Sequence, residues 1–103
     1  MYILECDPSQ LNHVILTYRQ ADKLIRQKVL EQSKADHLLA EISQFLGADP
    51  IEALVLVNQA QSFTLIRVLA TIFNALAYSK NLQLFDGQTP VKQLQPTYSQ
   101  PAL

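Results

Sequence analysis

Apolar positions in the first part of the chain occur in short runs that are typical of β-strands. The first run, residues 2–6, ends at Asp7-Pro8-Ser9, a combination that favours a turn. The second run, residues 13–18, is rich in β-branched and aromatic side chains. Because the connection between the two runs is short, we expect them to form a hairpin.

The next segment, residues 22–46, allows two interpretations. Its apolar positions are compatible with one long amphipathic helix, or with a third strand over residues 22–30 followed by a helix over residues 33–46. In both cases Gly47 and Pro50 end the helix. Periodicity alone leaves the two interpretations open.

The second half of the chain combines a fully apolar run with an unusually apolar helix. Residues 53–57 are apolar without alternation, which indicates a strand covered on both faces. Residues 64–79 predict a helix whose outer side is only weakly polar, so that it needs a second apolar cover. Residues 82–85 predict a last strand. From residue 88 onward the Gln- and Pro-rich composition is typical of a flexible tail.

Length and charge narrow the class of protein. The chain has 103 residues, of which 49% are apolar, so it can form one domain with one core. Eight Lys and Arg stand against nine Asp and Glu, which gives a formal net charge of −1. A nucleic-acid binder would carry a basic surplus on one face, so we predict no direct nucleic-acid binding.

The sequence also predicts a cytoplasmic protein outside the membrane. Its start lacks the basic and apolar regions of a signal peptide. The most apolar stretch, residues 65–77, is interrupted by polar side chains and is too short to span a bilayer. Cys6 is the only cysteine, which excludes an internal disulfide and suits a reducing compartment.

Residues with catalytic or metal-binding potential are few. His13 and His37 lack the spacing of a metal pair. Asp7 follows the first strand, where a carboxylate can hold magnesium, but next to a proline it is better suited to forming a turn. Ser62 and Thr64 precede the apolar helix and are better suited to capping than to nucleophilic attack. The sequence therefore predicts no catalytic site, metal or cofactor.

Two further side chains have alternative roles. Cys6 on an apolar strand is interpreted as a small buried hydrophobic residue rather than a reactive thiol. Arg67 is a lone charge on an apolar helix, where such a residue usually extends its head into solvent. Arg67 has the alternative of anchoring a carboxylate of a partner protein.

Several segments together resemble one known family. Residues 59–67, QAQSFTLIR, are similar to a signature loop GPGSFTGLR, and Ala75-Leu76-Ala77 lies where that family has GLA. Residues 3–9 are similar to its opening ILaiDtS, and Ser33 with residues 38–42 to its hSe-LLp-I helix. The resemblance covers residues 1–87 in the same order and spacing. The family is TsaB (YeaZ), a bacterial tRNA threonylcarbamoyladenosine biosynthesis protein related to the glycoprotease family.

The resemblance implies an α/β fold made of a single actin-like (ribonuclease H-like) lobe. Its mixed sheet would have about five strands and two main helices, in the order β-β-β-α-β-α-β. This order favours the strand-then-helix interpretation of residues 22–46. The lobe would occupy residues 1–87, and residues 88–103 would form the tail.

Two departures from the family pattern bear on function. Gln59, Gln61 and Leu65 stand where the family loop has glycines, which let backbone N–H groups approach an anion closely. We therefore expect this loop to differ in shape from the family's glycine-rich loop and not to bind a phosphate group through its backbone N–H groups. The chain also corresponds to the first of two lobes, so no nucleotide cleft is expected within one copy.

The resemblance implies a non-catalytic scaffold rather than an enzyme. Members of the family are pseudo-enzymes that dock on the paralogue TsaD, or on themselves, through the two helices of the first lobe. The implied partners are therefore a TsaD-like protein or a second copy, and the implied role is support of tRNA modification. The residues implied for this contact are Leu38, Leu39, Ile42, Leu65, Arg67, Leu69, Ile72 and Phe73.

Two alternative functions stay open at this point. In the first alternative the chain is a homodimeric regulatory module that no longer takes part in tRNA modification. In the second it is a nucleotide-binding half-domain. The second alternative would use Asp7 and Ser9 in a cleft between two copies. Tight ATP binding with magnesium that is lost in Asp7→Ala would favour it.

Overall fold

The short apolar runs of the sequence form strands, and the two segments with apolar residues at helical spacing form helices. The computed structural model describes residues 1–10, 13–31, 37–59 and 63–95, with only the backbone of Phe63. Within these residues lie six strands and two helices. Their order is β1 (Tyr2–Asp7), β2 (His13–Gln20), β3 (Lys23–Glu31), α1 (Leu38–Leu46), β4 (Ala53–Leu56), α2 (Phe63–Lys80), β5 (Gln83–Asp86) and β6 (Thr89–Val91).

The strands form one mixed sheet in the order β3-β2-β1-β4-β5-β6. The pairs β1–β2, β2–β3 and β5–β6 are antiparallel, whereas β4 is parallel to both β1 and β5. Parallel neighbours need a crossover connection, and α2 provides it between β4 and β5. The continuous apolar run of β4 therefore lies between two neighbours, and all four of its residues are buried.

Both helices pack on the same face of the sheet. Alternate residues of β1 and β2 are buried, as expected for strands with one covered face. These residues join one hydrophobic core with the buried side chains of α1, α2, β4 and β5. Large members of this core include Leu4, Leu16, Ile42, Leu54, Leu69, Phe73 and Leu84.

The predicted α/β fold and element order are confirmed, with one strand more than expected. Residues 22–46 form β3 and then α1, although the predicted helix segment over residues 33–36 lies outside the described residues. The additional strand is β6, which pairs with β5 and contains Pro90. Proline is tolerated there because β6 has a neighbour on one side only.

The predicted boundary between lobe and tail needs correction. β6 lies beyond residue 87, and Leu94 is buried in the core. The Leu94 backbone also exchanges hydrogen bonds with the side chain of Asn74, at 2.7 Å as donor and 3.2 Å as acceptor. The folded lobe therefore reaches at least Leu94, while residues 96–103 lie outside the described residues.

No helix within the described ranges combines the length and the hydrophobicity needed to cross a membrane.

Cys6 lies fully buried on β1, where its environment disfavours the reactive thiolate. Burial raises the pKa of the Cys6 thiol, and the neighbouring carboxylates of Asp7 and Glu5 raise it further. We expect iodoacetamide to modify Cys6 only as fast as the chain unfolds. Mass spectrometry across a urea series measures this rate. An exposed Leu39→Cys thiol in a Cys6→Ala background should react at once, and equally fast native labelling of Cys6 would contradict its burial.

Candidate functional site

Helix α2 is apolar nearly all the way round, and the structure divides its residues between core and surface. Its buried side is continuous with the main core. Its outer side carries exposed Thr64, Arg67 and Thr71 and half-buried Val68. These positions recur every three or four residues, so they share one face of the helix.

The structure places most of the predicted contact residues in the core. Six of the eight are buried: Leu38, Ile42, Leu65, Leu69, Ile72 and Phe73. The other two are at the surface, Leu39 on α1 with 54% of its area exposed and Arg67 on α2. A side chain buried within one copy has little area to offer another protein. The predicted contact residues therefore lie mainly in the hydrophobic core between the two helices and the sheet.

A shallow depression of about 340 Å³ lies along the outer side of α2. It is lined by Thr64, Arg67, Val68, Thr71 and Ile72, and we call this group the α2 surface. The Thr71 hydroxyl donates a hydrogen bond to the Arg67 carbonyl oxygen at 2.8 Å, so it is satisfied within its own helix. The α2 surface therefore combines apolar side chains with one guanidinium group.

The carboxylate of Asp7 is engaged in the turn after β1. Both the backbone N–H and the hydroxyl of Ser9 donate to its Oδ1, at 2.9 and 2.6 Å. This Asx-type turn confirms the turn-forming role predicted for Asp7. Among the described residues no group of three or more His, Cys, Asp or Glu side chains could hold a metal ion.

Asn58 is a buried polar residue that sequence reasoning missed. It follows β4 and has 6% of its area exposed. Its Nδ2 donates to Asp86 Oδ2 at 3.0 Å and to the Gln95 carbonyl oxygen at 2.7 Å. Asn58 thus links the end of β4 to the end of β5 and to the segment after β6. Its only sequence signal is an amide side chain directly after a fully apolar run.

The glycine-free loop can be followed only in part, because residues 60–62 lie outside the described residues. Gln59 precedes them, and its backbone N–H donates to the Val57 carbonyl oxygen at 2.8 Å. Leu65, where the resembling family has its third glycine, lies inside α2 with its side chain in the core. The leucine that stands here in place of glycine therefore contributes its side chain to the core.

Comparisons with solved structures agree with this fold. YeaZ from Pseudomonas aeruginosa aligns with a TM-score of 0.64 and 15% identity, over 84% of this chain and 43% of that one. The crystal structure of an uncharacterized protein with similarity to peptidase YeaZ from Pseudomonas aeruginosa also gives 0.64 and 15%, over 82% and 42%. No protein-family model matches the sequence, and no curated protein matches it. The chain spans less than half of either structure, and the predicted similarity to YeaZ is confirmed in its fold.

Proposed function

We propose that this chain is a non-catalytic docking subunit of the TsaB type, which supports threonylcarbamoyladenosine modification of tRNA by binding a TsaD-like protein. The observation that carries this proposal is the α2 surface, an apolar depression with one cation on a YeaZ-like fold. Interfaces commonly combine apolar side chains with arginine in this way.

The chemistry of the α2 surface indicates how a partner would bind. Val68, together with the 9% of Ile72 that stays exposed, offers apolar area, and the guanidinium group of Arg67 can bind a carboxylate in bidentate geometry. A helix with apolar residues and one Asp or Glu at matching spacing would fit this pattern. Arg67 and Ile72 of the predicted set therefore stay in the proposed contact, and Thr64, Val68 and Thr71 are added to it.

The hydrogen bonds of two carboxylates at the strand ends support a non-catalytic role. Asp7 accepts two hydrogen bonds from Ser9, and Asp86 accepts one from Asn58. Both carboxylates thus serve the folded structure. The nucleotide-binding alternative finds less support for this reason.

Binding to the TsaD-like protein of the same organism tests the proposal. Titration calorimetry should give a defined one-to-one complex, and Val68→Asp should weaken it at least about 30-fold, because it places a desolvated charge at the centre of the contact. Gln88→Arg, exposed in the turn between β5 and β6, is the control and should bind as the parent chain does.

Two outcomes would contradict the proposal. If the parent chain does not bind the TsaD-like protein, the role in tRNA modification is wrong. If Val68→Asp and Gln88→Arg bind equally well, the docking surface lies elsewhere. Circular dichroism of each variant distinguishes a lost contact from a lost fold.

A further inference from the structure

A groove of about 340 Å³ lies between the C-terminal half of α2 and the strands β5 and β6. Three segments of the chain line it, and they contribute Asn74, Ala77 and Tyr78 from α2, residues 82–85, and residues 90–92. We call this site the β5 groove. Its lining residues are all different from those of the α2 surface. Its volume lies at the lower end of the range of small-molecule sites, about 300–1,000 Å³.

Hydrogen bonds within the chain fix two walls of the β5 groove. Asn81 has a left-handed backbone with a φ of 56°, and the Leu82 N–H donates to the Ala77 carbonyl oxygen at 2.9 Å. This Schellman-type helix end turns the chain directly from α2 into β5. On the other side the Asn74 side chain binds the Leu94 backbone as donor and as acceptor, which holds the segment after β6 against α2. The groove is therefore preformed, and a ligand would not have to order its walls.

The accessible part of the lining is largely apolar. Ala77, Leu82 and Val91 pack against the core but are only half-buried, so each leaves apolar area accessible. Tyr78 has 92% of its area exposed, more than any other large hydrophobic residue in the part of the chain that the structure describes. An exposed aromatic ring beside an apolar groove can stack on the ring of a ligand.

Lys92 gives the β5 groove a single positive charge. Among its described lining residues there is no Asp, Glu, Arg or second Lys. The ion pairs found between described residues involve other cations, on β2 and β3, and leave the Lys92 ammonium group without a carboxylate. The flexible stem of a lysine lets this group turn toward a bound anion. The groove thus combines apolar walls with one cation that the fold does not neutralise.

We propose that the β5 groove binds a small organic monocarboxylate with an aromatic body. One ammonium group complements one negative charge, which favours a carboxylate over a doubly charged phosphate ester. The apolar walls and the Tyr78 ring would take the aromatic body. Since a water molecule occupies about 30 Å³ in the liquid, the groove has room for roughly ten non-hydrogen atoms. This site is independent of the proposed function.

Titration with 3-phenylpropionate, followed by ¹⁵N–¹H NMR of the full chain, tests the proposal. The amide signals of Ala77, Leu82 and Lys92 should shift in a saturable way, with a dissociation constant of about 1 mM or below. The neutral amide of the same acid has nearly the same shape and should bind about three- to fivefold more weakly, because it lacks the charge attracted by Lys92.

Two variants separate the charge from the apolar contact. Lys92→Gln should weaken binding of the acid about three- to fivefold and should make the acid and the amide bind equally. Lys23→Gln removes an exposed lysine at the start of β3 and is the matched control, which should bind as the parent chain does. Tyr78→Ala should weaken both ligands about threefold or more, because each loses the same ring contact.

Three results would overturn the proposal. The first is the absence of saturable shifts at these amides up to about 10 mM acid. The second is equal binding of the acid and the amide to the parent chain, and the third is equal binding of the acid to Lys92→Gln and Lys23→Gln. Val68→Asp, which tests the proposed function at the α2 surface, should leave binding of the acid unchanged, so that the two proposals can fail separately.

Discussion

Leu69→Asp should prevent the chain from folding. Leu69 lies on the inner side of α2, fully buried in the core that joins both helices to the sheet. The substitution removes a buried leucine, which alone costs about 2–5 kcal/mol. It also places a carboxylate where no water can reach it, which costs several kcal/mol more. The sum approaches the whole stability of a small domain, about 5–15 kcal/mol.

Far-UV circular dichroism and urea unfolding measure this effect. Leu69→Asp should lack a cooperative unfolding transition at neutral pH. Val68→Asp, one residue earlier, is the matched variant because Val68 is half-buried on the outer side of the same helix. It should fold with a loss of about 1 kcal/mol. If Leu69→Asp unfolds cooperatively within about 1 kcal/mol of the parent chain, the orientation assigned to α2 is wrong.

The comparison of these neighbouring residues shows what sequence could predict about α2. The helix and its need for two apolar covers follow from its composition. The division between core and surface does not, because apolar residues occur on both sides and give the helix only a weak amphipathic pattern. The family resemblance assigned Leu65, Leu69 and Phe73 to a contact, whereas the sheet already buries them within one copy.

Two strands in the second half of the chain, β4 and β6, were predicted with unequal success. β4 was identified as a central strand because it lacks polar alternation, and it does lie between β1 and β5. β6 was not predicted, because Pro90 lies in a Gln-rich segment that resembles a tail. Leu94 is a single apolar residue in that segment, and a single residue has no periodicity. Its burial depends on the tertiary contact with Asn74.

The ambiguity over residues 22–46 arose from the position of β3 in the sheet. Most side chains of β3 are exposed, so its apolar and polar residues do not alternate between a core face and a solvent face. Periodicity therefore could not separate strand from helix. The element order of the resembling family resolved the ambiguity. In the structure three apolar side chains of β3 are exposed at this edge of the sheet.

Asn58→Asp should be strongly destabilising at neutral pH, although it changes the shape of the side chain very little. In the parent chain Asn58 Nδ2 donates to the Asp86 carboxylate and to the Gln95 carbonyl oxygen. The substitution replaces this donor by an acceptor and sets two carboxylates about 3 Å apart in a buried position. A carboxylate at this buried position, next to a second carboxylate and without a donor, should cost several kcal/mol.

This cost should depend on pH in a defined direction. Repulsion and burial raise the pKa of the introduced carboxyl group in the folded state above its unfolded value of about 4. The folded variant therefore binds one proton more than the unfolded variant between these two pKa values. Its free energy of unfolding should rise relative to the parent chain as the pH falls from 7 to about 4, because a protonated carboxyl group again offers a donor.

Asn74→Asp supplies the matched control for this prediction. Its side chain donates to the Leu94 carbonyl oxygen and accepts from the Leu94 N–H, so neither partner is a carboxylate. The change keeps the acceptor for the Leu94 N–H and should cost about 1–2 kcal/mol. Urea unfolding of both variants at pH 7 and at about pH 5 makes the comparison. Equal losses of stability that do not change with pH would contradict the role of Asn58 as the donor between two strand ends. The pH dependence is expected only if the introduced carboxylate lies next to that of Asp86.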